Sequence, residues 1–447
     1  MCIRKSPVLI VSFVVLAAAI LIIVFGTIYG AKKRQPAIKV GVLHSLTGTM
    51  AISEKAVVEA TLLAIEEINQ KGGLLGRRIE PVIADGRSDP DVFGKEAERL
   101  ITKDKVKAIF GCWTSASRKA VKPIVEKYNS LLFYPVQYEG LEASPNIVYM
   151  GAAPNQQVIP AVVWCLNNLG KRFFLVGSDY VFPRMANEIA KITLGYFGGE
   201  VAGEEYALLG SRDFAGIAEK IKQAKPDVIL NTVNGDSNVA FFEALHEKKI
   251  LGADLAIMSL SIGENELSAF EDHFNKLYPQ DAGNFLKSHL SGTYACWNYF
   301  ESINTPMNTD FIGRFRKKYG NSYRVNDPME AAYFGVYLWS QAAAEAKDTD
   351  DPQSLLNCLY GMSVAAPEGP VTIDRFNNHA RKTVRIGKLN EAGRFDILWA
   401  SRHPIKPEAY PFFRSKPYWE ALLEELYRRY GGHWSAGILP SGSGGRE

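Results

Sequence analysis

Ile38-Lys39-Val40-Gly41-Val42-Leu43-His44-Ser45 opens the body of the chain. A short apolar run that ends in polar residues reads as a buried strand of a parallel sheet. From Glu54 to Lys71, residues Ala56, Val57, Ala60, Leu63, Ala64 and Ile68 fall near the i, i+3, i+4 spacing of a helix face. Gly72-Gly73 stops that helix, as glycine does beyond a helix C-terminus. Residues 79–86 (IEPVIADG) read as the next strand. Strand, helix and strand in this order form a βαβ unit, which commits the region to an α/β fold.

The pattern continues outward. A helix is expected over 91–102, a strand over 106–113, a helix over 118–128 and a strand over 131–137. It resumes with a strand at 172–179, helices near 183–197 and 213–224, a strand at 227–235, a helix near 237–246 and a strand at 255–261. Helices near 309–319 and 328–346 follow, and GPVTID, VRIGKLN and FDILWAS look like late strands. Two alternating blocks, about 38–150 and 155–284, indicate two α/β lobes with parallel sheets.

The chain has 447 residues, 47% hydrophobic and 22% charged, too long for a disulfide miniprotein and too apolar for a disordered tail. Lys+Arg number 51 against Asp+Glu 48. Arg4, Lys5, Lys32, Lys33 and Arg34 precede the body without any acid, so the body itself is slightly acidic. Phosphate binding needs a basic face, so nucleic acid is not expected as a partner. The five cysteines lack CxxC spacing, and Cys112, Cys165 and Cys358 sit among apolar neighbours as expected of buried free thiols.

Val8 to Gly30 carries no charge and is long enough to cross a bilayer, which takes about 20 apolar residues. A secretory signal has a shorter apolar core and a small-x-small exit, which Tyr29-Gly30-Ala31 fits poorly. Residues 1–36 are therefore expected to be a membrane anchor or, failing that, a cleaved signal. The body is then extracytoplasmic, tethered to the cytoplasmic membrane unless the segment is cleaved.

In open parallel sheets ligands bind beyond the carboxyl ends of the strands. Those ends are His44-Ser45, Trp113-Thr114-Ser115, Tyr134-Pro135-Val136-Gln137-Tyr138-Glu139, Ser178-Asp179-Tyr180, Asn234-Gly235-Asp236-Ser237 and Ser259-Leu260-Ser261. Aromatic faces can sandwich a planar group while hydroxyls and amides pair its edge. Ser115, Ser178 and Ser237 equally suit helix N-caps, and Trp113 and Tyr134 equally suit the core. Motifs of the GxSxG, GxxxxGK[ST] and HExxH types are absent, and the seven His are scattered. No enzyme, cofactor or metal is expected. His44 is a candidate acid or base by position only.

Several stretches carry a resemblance. NQKGGLLGRRIE (69–80), GCWTSASRKAV (111–121), LFYPVQYEG (132–140), SPNIVY (144–149), GSDY (177–180) and APEGPV (366–371) resemble the type I periplasmic binding proteins of the urea and short-chain amide branch. NGDSNVAFF (234–242) and WNYF (297–300) look like its urea-transporter members. The resemblance covers about residues 38–410. It implies two doubly wound parallel-sheet lobes joined by three hinge crossovers, closing on a ligand without covalent chemistry. Lobe 1 would take residues 37–153 and about 285–350, lobe 2 residues 154–284 and about 351–432, and 433–447 would be a flexible tail.

Carried over residue by residue, the implied ligand set is Trp113, Ser115, Tyr134, Pro135, Val136, Gln137 and Tyr180. Val136 has no hydroxyl and Gln137 replaces an apolar residue of the amide-binding pattern. Urea offers one acceptor and four N–H groups, so it needs more acceptors than acetamide, and Gln137, Glu139 or Asp236 can supply them. The implied role is a solute-binding protein delivering urea or a short-chain amide to ABC transporter permease subunits. Alternatives are a membrane-tethered amide or urea sensor and a branched-chain amino acid binding protein. The stretch Tyr418–Tyr430 looks amphipathic and suited to packing on the second lobe or a partner.

Overall fold

The computed structural model describes residues 36–252, 255–281 and 283–439. The segment Val8–Gly30, expected to be an anchor or signal, lies outside the described residues, as does the end of the tail from 440 on. Among the described residues no helix is long and apolar enough to cross a membrane.

The first lobe opens with β1 (Ile38–His44), α1 (Ala51–Gln70), β2 (Ile79–Asp85), α2 (Pro90–Thr102), β3 (Ile109–Gly111), α3 (Ser115–Lys127), β4 (Leu132–Tyr134) and β5 (Ile147–Tyr149). The strands form a parallel sheet in the order β2-β1-β3-β4-β5. Only Lys39 of β1 is exposed, as the near-continuous apolar run requires of a strand covered on both faces. Local sequence sets the helix starts. Asp89 caps α2 by accepting from the Asp91 N–H at 2.8 Å, with Pro90 in the first turn.

The second lobe continues with α4 (Val158–Asn168), β6 (Arg172–Ser178), α5 (Val181–Phe197), β7 (Glu200–Ala207), α6 (Ala215–Ala224), β8 (Val228–Thr232), α7 (Ser237–Glu247), β9 (Ala256–Ser259), α8 (Glu264–Leu277), α9 (Phe285–His289) and β10 (Thr293–Trp297). After β10 the chain returns to the first lobe with α10 (Pro306–Tyr319), α11 (Asp327–Ala346) and α12 (Pro352–Leu359). Trp339 of α11 packs edge-on against Phe110 of β3, with ring centres 5.9 Å apart. A small sheet of β11 (Ser363–Ala366), β12 (Gly369–Ile373) and β13 (Ala380–Arg381) follows. The chain then crosses back as β14 (Arg385–Leu389), β15 (Phe395–Ala400) and α13 (Lys416–Arg429). The second sheet runs β15-β14-β10-β9-β8-β6-β7.

Two lobes and three crossovers are therefore present, with several differences from the expected boundaries. Residues 293–297, assigned by sequence to the first lobe, lie in the second sheet, because β10 pairs parallel with β9 and antiparallel with β14. That sheet is mixed, since β14 and β15 join antiparallel. Residues 352–381, assigned to the second lobe, pack on the first: α12 contacts α11, and His379 stacks on Tyr149 with ring centres 4.2 Å apart. The described part of the tail is docked rather than flexible, since Ser435 pairs with Tyr180 and Ile438 with Leu209 in isolated bridges. The amphipathic helix α13 packs on α5 of the second lobe, with Trp419, Leu423 and Leu426 buried.

Candidate functional site

The order of the first sheet places the ends of β1, β3 and β4 side by side. At the end of β1, His44 is fully buried, with Nδ1 2.9 Å from Glu54 Oε2. Its Nε2 has no partner among the described residues. Gly111 ends β3, where a Cβ would lie 2.2 Å from the Leu43 carbonyl oxygen, so only glycine permits this approach to β1. Cys112 then takes φ 66, in the left-handed region, and turns the chain into Trp113. The Trp113 ring is buried and its Nε1–H is unpartnered among the described residues. Tyr134, ending β4, donates its hydroxyl to the Trp113 carbonyl at 2.6 Å and ties the two strand ends together.

Thr114 is the N-cap of α3: its hydroxyl accepts from the Ser117 N–H at 3.0 Å. Ser115 is therefore released from capping. Its hydroxyl donates to Glu139 and accepts from Arg118 Nη1 at 2.9 Å. Arg118 is completely buried, reaching Glu139 Oε1 at 3.0 Å and Glu142 Oε1 at 2.9 Å, and its guanidinium carbon lies 5.0 Å from the Tyr134 ring centre. Lys119 adds a 2.9 Å bond to Glu142. Burial alone would raise the Glu142 pKa, but Arg118 and Lys119 hold it well below the usual carboxylate range.

The facing wall comes from β6, β8 and β9, which are adjacent in the second sheet. Tyr180, just beyond β6, is buried. Burial lifts its phenol well above the ordinary value; Tyr134 and Glu139 push the same way, so these groups of opposite lobes sit within electrostatic reach. The expected cap role fails for Ser237 too. It opens α7 fully buried, and its hydroxyl has no partner among the described residues.

The lobes touch directly. Gln137 donates through Nε2 to the Leu260 carbonyl at 2.8 Å, leaving its Oε1 buried and unpartnered among the described residues. The Asp236 N–H donates to the Thr49 carbonyl at 3.2 Å, and the Thr49 hydroxyl donates to the Asp236 carboxylate. Gly235 permits this contact: it has φ +67, and a Cβ there would sit 2.8 Å from the Thr49 carbonyl oxygen. The two walls therefore meet around buried neutral groups that lack partners among the described residues.

The sequence profile of the family described as a periplasmic binding protein domain matches residues 38–416. The chain belongs to this family. It has the α/β type I periplasmic binding protein fold. The binding protein is 33% identical over 351 residues to a Leu/Ile/Val-binding protein homolog 7 of Brucella suis, covering 72% of this chain and 80% of the relative. It is 22% identical over 361 residues to a Leu/Ile/Val-binding protein homolog 6 of Brucella melitensis, covering 79% and 88%. A shorter match, 35% over 117 residues, covers 26% of the chain and only 21% of a protein named limonene hydroxylase from Geobacillus stearothermophilus. Among solved structures, a solute-binding protein of Rhodopseudomonas palustris in complex with 3,4-dihydroxybenzoic acid superposes with TM-score 0.69 at 21% identity, covering 83% of this chain and 98% of that one. An isoleucine complex from Streptococcus pneumoniae gives 0.68 at 22%, covering 83% and 100%.

In this binding protein Trp113, Ser115, Tyr134, Gln137 and Tyr180 lie at strand ends that border the junction of the lobes. Pro135 and Val136 are buried beside them. Asp236 is occupied differently: its carboxylate bonds Thr49 and joins the lobes. Among the described residues, no group of three or more His, Cys, Asp or Glu is placed to hold a metal ion. Sequence reasoning missed Arg118 and Glu142. The available signal was the pair of acids Glu139 and Glu142 in an otherwise apolar stretch, which require a buried cation.

Proposed function

We propose that the protein captures urea or a short-chain amide between its lobes and delivers it to ABC transporter permease subunits, without covalent chemistry. One observation carries this reading. At the strand ends of the two walls, neutral buried groups lack partners among the described residues: Trp113 Nε1, Gln137 Oε1 and Ser237 Oγ. The charged side chains behind them are paired, Arg118 with Glu139 and Glu142, and Lys119 with Glu142. A neutral ligand with a carbonyl and N–H groups satisfies such a set, whereas an α-amino acid brings two charges that need partners. In this reading residues 8–30 tether the extracytoplasmic body to the membrane.

Calorimetry of the full chain with urea, acetamide, formamide and leucine tests it. Heat with urea or an amide and none with leucine is expected. Leucine heat without urea heat overturns it. A second reading, a branched-chain amino acid binding protein, is favoured by the names of the Brucella relatives, and the leucine arm decides for it.

A further inference from the structure

We infer that Glu139 and Arg118 are positioning residues that turn Ser115 into an obligate hydrogen-bond acceptor and so make the site select ligands bearing N–H groups. The inference deepens the urea and amide reading and rests on it. A serine hydroxyl has one hydrogen and two lone pairs. In this protein the hydrogen goes to Glu139, and one lone pair takes the Arg118 Nη1–H at 2.9 Å. One lone pair remains, and it can only accept.

Arg118 is an N–H donor only, so it cannot change that polarity, and three of its N–H groups are already committed. Nη2 donates to Glu139 at 3.0 Å and Nε to Glu142 at 2.9 Å, and the guanidinium carbon lies 5.0 and 4.6 Å from the Tyr134 and Tyr138 ring centres. A buried cation held on all sides by acids and aromatic faces is also unable to swing out and meet a ligand carboxylate. The consequence is discrimination by repulsion as well as attraction: an amide N–H finds a lone pair at Ser115, while a carboxylate oxygen in the same place finds another acceptor.

A double-mutant cycle on the full chain tests this, reading affinity by calorimetry for urea, acetamide, acetate and leucine. Ser115→Ala is expected to weaken urea or acetamide binding at least fivefold. Glu139→Gln frees the hydroxyl to turn, so it should weaken the same ligands and lower the preference for acetamide over acetate. In the double variant Glu139→Gln should add nothing, because its effect runs through Ser115. Glu139→Asp keeps the charge facing Arg118 but withdraws the carboxylate from Ser115, and should reproduce the coupling if Glu139→Gln folds poorly. Full additivity of the two substitutions, or unchanged affinity in Ser115→Ala, overturns the inference. Leucine binding with the same coupling overturns the ligand reading alone and keeps the positioning role. No binding of any of the four overturns both.

Discussion

The Asp236 N–H donates to the Thr49 carbonyl at 3.2 Å, and the Thr49 hydroxyl returns a bond to the Asp236 carboxylate, so residues 187 positions apart on opposite lobes form a reciprocal latch. In this structure the latch takes up both groups within the protein. It therefore biases the open–closed equilibrium rather than the choice of ligand. Asp236→Ala removes one bond of about 0.5–1.5 kcal/mol. The apparent Kd should rise about 2- to 12-fold, and by the same factor for every ligand, since only the fraction of closed protein changes. A variant that alters the ratio of urea to acetamide affinity would instead place Asp236 against the ligand.

Thr114 and Ser115 separate two roles that the sequence left merged. Thr114 caps α3, so Thr114→Ala should lower the apparent Tm of the ligand-free protein by about 1–4 °C, in line with a cap of about 0.5–2 kcal/mol. Ligand affinity should barely move. Ser115→Ala should reduce affinity and, because its hydroxyl also bonds the buried Glu139 and Arg118, lower Tm as well. Melting curves and titrations on both proteins check the pair.

How much of this was legible in the sequence depended on range. The strand Ile38–His44 and its neighbours could be read because burial on both faces leaves an unbroken apolar run. β7 (Glu200–Ala207) escaped because it is an edge strand with no fully buried residue, and its acidic EVAGEEYA pattern resembles a loop. β10 was read in the wrong lobe because nothing local in TYACW says which sheet it joins. Pairing with β9 and β14 is a long-range choice. Trp113 and Tyr134 stood out by composition at strand ends. Arg118 did not, since in an amphipathic helix with Lys119 and Lys122 it looks like surface charge. Its burial follows from Glu139 and Glu142, some twenty residues on, folding back over it.

His379 gives the protein a pH signature. Burial pushes its pKa down to about 4, partly offset by the bond to the Asn377 carbonyl. The ring stacks on Tyr149 and its Nε2 meets the Tyr138 hydroxyl. The folded state keeps this ring neutral down to about pH 4, whereas an unfolded histidine takes a proton below about 6.5. Between those values the unfolded chain binds more protons, so the contribution of His379 to stability falls as pH is lowered from 6.5 towards 4. His379→Gln should flatten that part of the profile while lowering stability at pH 7. Guanidinium unfolding at several pH values is the measurement, urea being a candidate ligand. An unchanged slope would show that other groups carry the pH dependence.

The segment after α13 links the two lobes. Its backbone is fastened to the second lobe: the Val181 N–H donates to the Trp434 carbonyl at 3.0 Å, the Ala436 N–H to Asp179 at 3.0 Å and the Leu439 N–H to Leu209 at 2.8 Å. Tyr430 also bonds the Asp179 carboxylate, next to Tyr180 of the site. Towards the first lobe it offers the Trp434 ring, whose centre is 4.5 Å from Lys119 Nζ. Between Trp434, Lys119, Ser88 and Thr49 runs a cavity of about 1010 Å³ that borders the latch. Opening the lobes must pull Lys119 away from Trp434, and a cation–π contact is worth about 0.5–2 kcal/mol. Trp434→Ala should therefore speed ligand dissociation about 2- to 30-fold in stopped-flow measurements and leave the association rate near its wild-type value. If the segment only braces the second lobe, the same substitution will lower Tm and leave dissociation unchanged. Lys119→Met, which removes the cation and also its bond to Glu142, should speed exit at least as much as Trp434→Ala if the contact across the lobes is what slows it.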